Sequence, residues 1–297
     1  MNIFKVVLIF ASSVIYSVKL WAAPVEVISA KPESPADTRY EYAELILKNV
    51  LKTTEDKYGS ATHKHASEVF SRDRALVELI KGNEIHVTAE TPKDEWAKEL
   101  LPIYIPINKG ITGYRVYFVS AATQAEFSKI DTLDELKRIK TGSGSQWSTT
   151  PVLRQAGFTI IATRKLDGLF WMLMGDRFQA LPRGINEAPE ELIRYQKLFP
   201  DIRLDENLAV YIPLPTFFYV SPKHKMLAER LKLGLDRMYA DGSFDKIFYS
   251  YHLKIIEDAK LTSRKVFKLK NTTLPKEVPV DEPKYWYKPG DELSYKE

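Results

Sequence analysis

Apolar alternation and helical periodicity divide the chain into a run of strand and helix signals. VEVISA (25–30) alternates and reads as a strand, with KPESPADTR as the loop behind it. Thr38 and Glu41 have the spacing of a capping box, and Tyr42, Leu45, Ile46 and Val50 follow on one helical face. A second helix is expected from Ser71 to Gly82, with Leu76, Leu79 and Ile80 inward, and then a strand in EIHVTAE (84–90). His63 and His65 stand between these helices in what reads as a polar loop. No carboxylate or third histidine is evident beside them, so no metal is expected.

The stretch LLPIYIPINKGITGYRVYFV (100–119) passes a Gly110/Gly113 hinge signal and ends in a strand. Tyr114, Val116 and Phe118 share one face of it, and Arg115, Tyr117 and Val119 the other. Beyond it the pattern repeats as β–α–β–α–β–α. Thr132 and Glu135 form a second capping box, KTGSGSQW runs into a glycine-serine loop, and Thr150 caps a helix with Pro151 at its first position. TIIAT and RFQALPRG are strands, LDGLFWMLMG is a helix, and Glu187, Glu190 and Glu191 open another. YIPLPTFFYVS (211–221) is a Pro-punctuated return. It leads to a long helix lined by Leu227, Leu231, Leu235 and Met238, then a helix in SFDKIFYSYH, then a Pro-rich tail whose Tyr285, Trp286 and Tyr287 read as docked on the first lobe or as a partner motif. Alternating strands and helices predict an α/β fold with parallel sheets, here split into two lobes.

Residues 1–23 differ in kind: Lys5, an apolar run, then Ala22-Ala23. The run of 13 apolar or small residues is short for a span of about 20, so it reads as a signal peptide cleaved near Ala22 and the protein as periplasmic. Without that segment 41 basic face 39 acidic side chains, which gives no reason to expect nucleic acid as a partner. The chain has no cysteine, which excludes thiol catalysis and thiolate metal sites.

The strings LLPIYIPINKGITGYR, LPRGINE and DGSFDKIF, in that order, resemble the type 2 periplasmic solute-binding proteins, within the amino-acid-binding (family 3) class. PESPADTRYEYAELILKNVL and LKNTTLPKEVPV add to a resemblance that spans residues 24–297. It implies a first lobe of 24–113 plus 217–297, a second of 118–212, and two hinge crossings. It also implies a small-molecule ligand, a membrane transporter or sensor kinase as partner, a monomer, no cofactor and no catalysis. Two departures bear on the ligand. Amino-acid binders resemble one another in holding the α-carboxylate with a first-lobe arginine, and TAETPKDEW has none. They offer a second-lobe acid at a late strand end, where FQALPRG has Arg183. A cleft that closes on a small anionic, carboxylate-bearing or zwitterionic solute is therefore expected. The rival readings are an enzyme of dehydratase type on the same fold, and a signalling module whose cleft has lost its ligand.

In open α/β sheets ligands lie beyond the carboxyl ends of the strands, which here means loops 31–39, 88–94, 142–150 and 182–187. Arg183 leads the candidates, against a salt bridge to Glu187 or another acid. Arg115 is weighed against an ion pair with Glu33, Asp37 or Glu90. Gly142, Ser143 and Gly144 offer backbone donors or an ordinary turn, and Trp147 a closing ring or core packing. Asp37 and Arg39 are ligand contacts or local caps. Leu169 to Leu173 read as core, and no phosphate-loop or nucleophile-elbow pattern occurs.

Overall fold

The structure, a computed structural model, describes residues 24–32, 40–92 and 94–295. The leader, the Thr38 cap, Asp37 and Arg39 lie outside them.

β1 (Val25–Ser29) leads to α1 (Glu41–Thr53), a short α2 (Glu55–Tyr58) and β2 (Ala61–His65). Ile46, Leu47, Val50 and Leu51 bury one side of α1, as their spacing requires. α3 (Arg72–Lys81) starts where the Ser71 hydroxyl accepts from Arg74 N, and stops at Gly82, left-handed at φ 72°. β3 (Val87–Glu90), α4 (Asp94–Glu99) and β4 (Leu101–Ile103) complete this pass. The ATHKH segment is a strand rather than a loop. It pairs with β1 from Val25↔Ala61 to Ser29↔His65, and an edge strand needs no apolar alternation because only one face meets the protein.

The chain then crosses through a 3₁₀ turn at Ile111–Gly113 into β5 (Tyr114–Ser120). After it come α5 (Ala121–Phe127), α6 (Leu133–Arg138), β6 (Thr141–Gly144), α7 (Thr149–Gln155), β7 (Ile160–Thr163), α8 (Leu166–Met174), β8 (Leu181–Gly184), α9 (Ala188–Gln196) and β9 (Ile202–Tyr211). The Thr132/Glu135 capping box is present. Thr150 does not cap α7: Ser148 holds the cap position, and the Thr150 hydroxyl turns back to Gly144 O at 2.6 Å. The two faces predicted for β5 serve two cores. Tyr114, Val116 and Phe118 join the larger one, and Tyr117 and Val119 the smaller.

β10 (Phe217–Val220) returns between β3 and β4, giving a first sheet of order β2-β1-β3-β10-β4. α10 (Lys225–Asp241) and α11 (Ser243–Ala259) follow, separated by left-handed Gly242. β11 (Lys265–Lys268) was expected with the first lobe but pairs in parallel with β9, making a second sheet of order β11-β9-β5-β8. The pair β6-β7 joins this sheet through a bridge from Thr141 to Ala180.

The tail packs over the first crossing. Tyr285 meets Tyr239 of α10 edge-on, Tyr287 N donates to Lys109 O at 2.8 Å, and the Tyr114 hydroxyl donates to Tyr287 O at 3.0 Å. Gly110, at φ 64°, lies so close to Trp286 that a Cβ there would stand 2.6 Å from the ring. Lys109 is buried and forms an ion pair with Asp245 at 2.5 Å. No helix among the described residues is long and apolar enough to cross a membrane.

Candidate functional site

One cavity of about 660 Å³ lies where the exits of β3, β6 and β8 meet the start of β5. The exit of β3 supplies Thr91 and Pro92, and α4 supplies Glu95. From the other side the exit of β6 brings Ser145 to Thr149, with Trp147 among them. β5 contributes Arg115, β8 contributes Arg183, and Glu187 precedes α9. A smaller space of about 330 Å³, walled by Lys31, Tyr40, Phe70 and Trp96, shares Thr91 with it.

Arg183 and Arg115 meet because β5 and β8 are antiparallel, with Arg115 opposite Gly184. The Arg183 fork closes on Glu191, with Nε to Oε2 at 2.7 Å and Nη2 to Oε1 at 2.5 Å. Nη2 also reaches Glu187 Oε1 at 2.9 Å. Glu187 accepts in turn from Arg115 Nη1 and from Gly184 N, each at 2.9 Å. Two guanidiniums and two carboxylates thus form one network whose charges cancel.

Burial pushes the Glu187 carboxyl up, but Arg115 and Arg183 beside it, helped by the Gly184 N–H, hold it below the usual carboxylate range. Burial lowers Arg115 further than Glu187 raises it. The partners of the remaining pair point opposite ways. Burial raises Glu191 despite its bonds to Arg183, whereas the two acids keep Arg183 above its usual range despite burial. The geometry decides for two charges, because a guanidinium only donates and a protonated carboxyl facing it would lose an acceptor.

Of the candidates from sequence, Arg183, Arg115 and Trp147 come together at the cavity. The Trp147 ring lies over the Arg183 guanidinium, 4.3 Å from centroid to Cζ. Arg115 pairs with Glu187, not with Glu33, Asp37 or Glu90, and its Nε is buried without an acceptor among the described residues. Gly142, Ser143 and Gly144 are not an anion cradle. They form β6, buried behind the cavity wall. Gly142 N donates to Ala180 O at 2.8 Å, and the Ser143 hydroxyl is bonded to Thr150 at 2.7 Å. The glycines make room for rings: a Cβ on Gly142 would stand 2.2 Å from Phe178, and one on Gly144 2.3 Å from Trp147. Asp37 and Arg39 lie outside the described residues.

The sequence reading missed Glu191 as the partner of Arg183, Glu95 on the opposite wall, and Thr273, which reaches the cavity from the chain beyond β11. No cation pairs with Glu95 among the described residues. The Glu187–Glu191 spacing along the first turn of α9, just after an Arg-Gly strand exit, was the available signal for the network.

Two α/β sheets joined by extended crossings, with a cavity between them, match a known architecture. The structure is similar to the probable amino-acid ABC transporter extracellular-binding protein of Bacillus subtilis, at 13% identity and a TM-score of 0.52, covering 77% of this chain and 97% of that one. The fold is that of a type 2 periplasmic solute-binding protein. A lower score is found for an ancestral arginine-binding protein solved with arginine (16%, TM-score 0.48, 77% and 98% covered). An arginine transport-system binding protein from Legionella pneumophila gives 16%, 0.48, and 77% and 100% covered. No family model and no curated protein matches the chain.

Proposed function

We propose that the chain is an exported solute-binding protein that closes its two lobes on a small carboxylate-bearing zwitterion. The observation that carries this reading is the cavity of about 660 Å³, within the usual range for small-ligand sites and walled by both sheets. The charge arrangement supports the finer part. Arg115 and Arg183 are already neutralised by Glu187 and Glu191, so the second-lobe wall has no surplus positive charge for a pure anion. Arg115 Nε is buried without an acceptor among the described residues, and Glu95 borders the same cavity from the first lobe. A solute with a carboxylate toward the arginines and a positive group toward Glu95 fits both walls. Lobe closure about the crossings at 101–119 and 211–221 would exclude water and strengthen both contacts, and a membrane transporter or sensor kinase would read the closed form.

Binding rather than turnover is favoured by the state of the two acids beside the arginines. Glu187 and Glu191 are both held by guanidinium, and neither is poised to take and return a proton. A thermal-shift screen of zwitterions, dicarboxylates, amines and neutral sugars tests the reading. A fitting solute at a hundred times its Kd adds about 2.7 kcal/mol and should raise the Tm by about 5 °C or more. A response confined to dicarboxylates would refute the zwitterion, and no response in any class would refute solute binding.

A further inference from the structure

A second polar cluster lies on the first lobe, outside the cavity. His63 and His65 stand two residues apart on β2, so both imidazoles leave the same face of the strand. Their rings meet edge-on at 5.3 Å. α1 lies beside that strand and brings Glu44, whose Oε1 is 2.5 Å from His65 Nε2. One ligand-type atom from each of the three lies within 4.8 Å of the others. The sequence alone hid this arrangement, because Glu44 is about twenty positions away and reaches the histidines only when β2 forms.

Two imidazoles and a carboxylate are a borderline donor set, suited to zinc and its neighbours rather than to calcium or magnesium. Tetrahedral bonds of about 2.0–2.2 Å set ligand atoms about 3.3 Å apart. Glu44 and His65 would separate slightly and His63 would close in, movements that side-chain rotation supplies. The Ser29 hydroxyl, 2.8 Å from His63 Nε2, holds that ring as an outer partner does in metal sites. β2 is an edge strand and the His65 side chain is 38% exposed, so solvent has access for an ion and for the water that completes its shell. Lys48 Nζ, 3.9 Å from Glu44 Oε2, is the nearby opposing charge; its side chain is mostly exposed and free to swing away.

We propose that Glu44, His63 and His65 form a surface site for a divalent cation of the zinc class, with water in the remaining position. The site is independent of the solute in the cavity.

The test is calorimetric titration of Zn²⁺ alone into the full chain, purified without a tag, with a Co²⁺ visible spectrum as the signature of low coordination number. One equivalent should bind. Losing an outer partner of a metal ligand already costs about 10–100-fold, so His63→Ala, His65→Ala and Glu44→Gln should each weaken binding by at least about tenfold. Zn²⁺ should raise the melting temperature of the parent and not of these variants, whose own melting curves confirm that they fold. Absence of uptake would overturn the proposal. So would a loss of less than about threefold in either histidine variant.

Discussion

Arg183 reaches the cavity already gripped by Glu191, with Nε to Oε2 at 2.7 Å and Nη2 to Oε1 at 2.5 Å. Its guanidinium is therefore first a structural charge and only then a surface for solute. Removing it strands an acid in a buried position. Arg183→Ala should destabilise the protein by about 2–4 kcal/mol, somewhat under the usual cost of breaking a buried pair because Glu187 keeps Arg115 as partner. Arg183→Lys should recover little, since an ammonium cannot reproduce the fork. The double variant Arg183→Met/Glu191→Leu should recover most of the loss. Urea denaturation measures all three, and an Ala variant as stable as the parent would contradict the pairing.

A buried imidazole sets an acid limit on stability. His252 packs among Tyr42, Phe248 and Tyr251, and burial lowers its pKa from 6.5 to about 4. His86, stacked on His224, is also lowered to about 4, by burial and then by that neighbour. The unfolded chain takes up these protons below pH 6.5, whereas the fold resists them until about pH 4. Stability is thus intact above that window and falls through it, by about 1.4 kcal/mol per pH unit for His252. His252→Phe should flatten the dependence. A parent whose denaturation midpoint is unchanged from pH 7 to pH 4.5 would refute this.

The Trp147 ring depends on the bare backbone of Gly144. In Gly144→Ala the new methyl would sit 2.3 Å from the indole, so the ring must leave its place over Arg183. The expected result is a shift in tryptophan emission with a cost of about 1–3 kcal/mol from overpacking. Unchanged emission would show that the ring does not sit there.

The tail is tied to the crossing through the ion pair of buried Lys109 with the partly exposed Asp245, and the Tyr295 hydroxyl donates to the same carboxylate at 3.0 Å. Asp245→Asn should cost about 2–4 kcal/mol by leaving Lys109 uncompensated. It should also speed proteolysis within 285–295. Equal rates of cleavage would separate the tail from this pair.

Much of this architecture was legible in the chain, and the reasons for the rest are physical. Capping residues and apolar spacing are local signals, so the Ser71 and Thr132 caps and both faces of β5 could be read directly. β2 and β11 could not, because ATHKH and KVFK carry little apolar alternation and owe their pairing to β1 and β9. At the site, Arg183, Arg115 and Trp147 announced themselves by residue type. The glycines beside them misled, because a Gly-Ser run reads the same whether it admits an anion or a neighbouring ring. The charge balance depends on where the first turn of α9 folds, which residue types alone do not show. In the proposed reading, that balance favours a zwitterion over a pure anion.

The most direct test of the cavity as the solute site is a calorimetric titration of Trp147→Ala with whichever solute most raises the parent's melting temperature. Trp147 borders the cavity and its ring is only partly buried, so its loss should leave the fold intact and remove one wall of the closed site. A fully desolvated aromatic contact contributes on the order of 1.5–3 kcal/mol, so Kd should rise by roughly tenfold to a hundredfold. A Kd equal to that of the parent, in a variant that melts at the parent's temperature, would place the solute elsewhere.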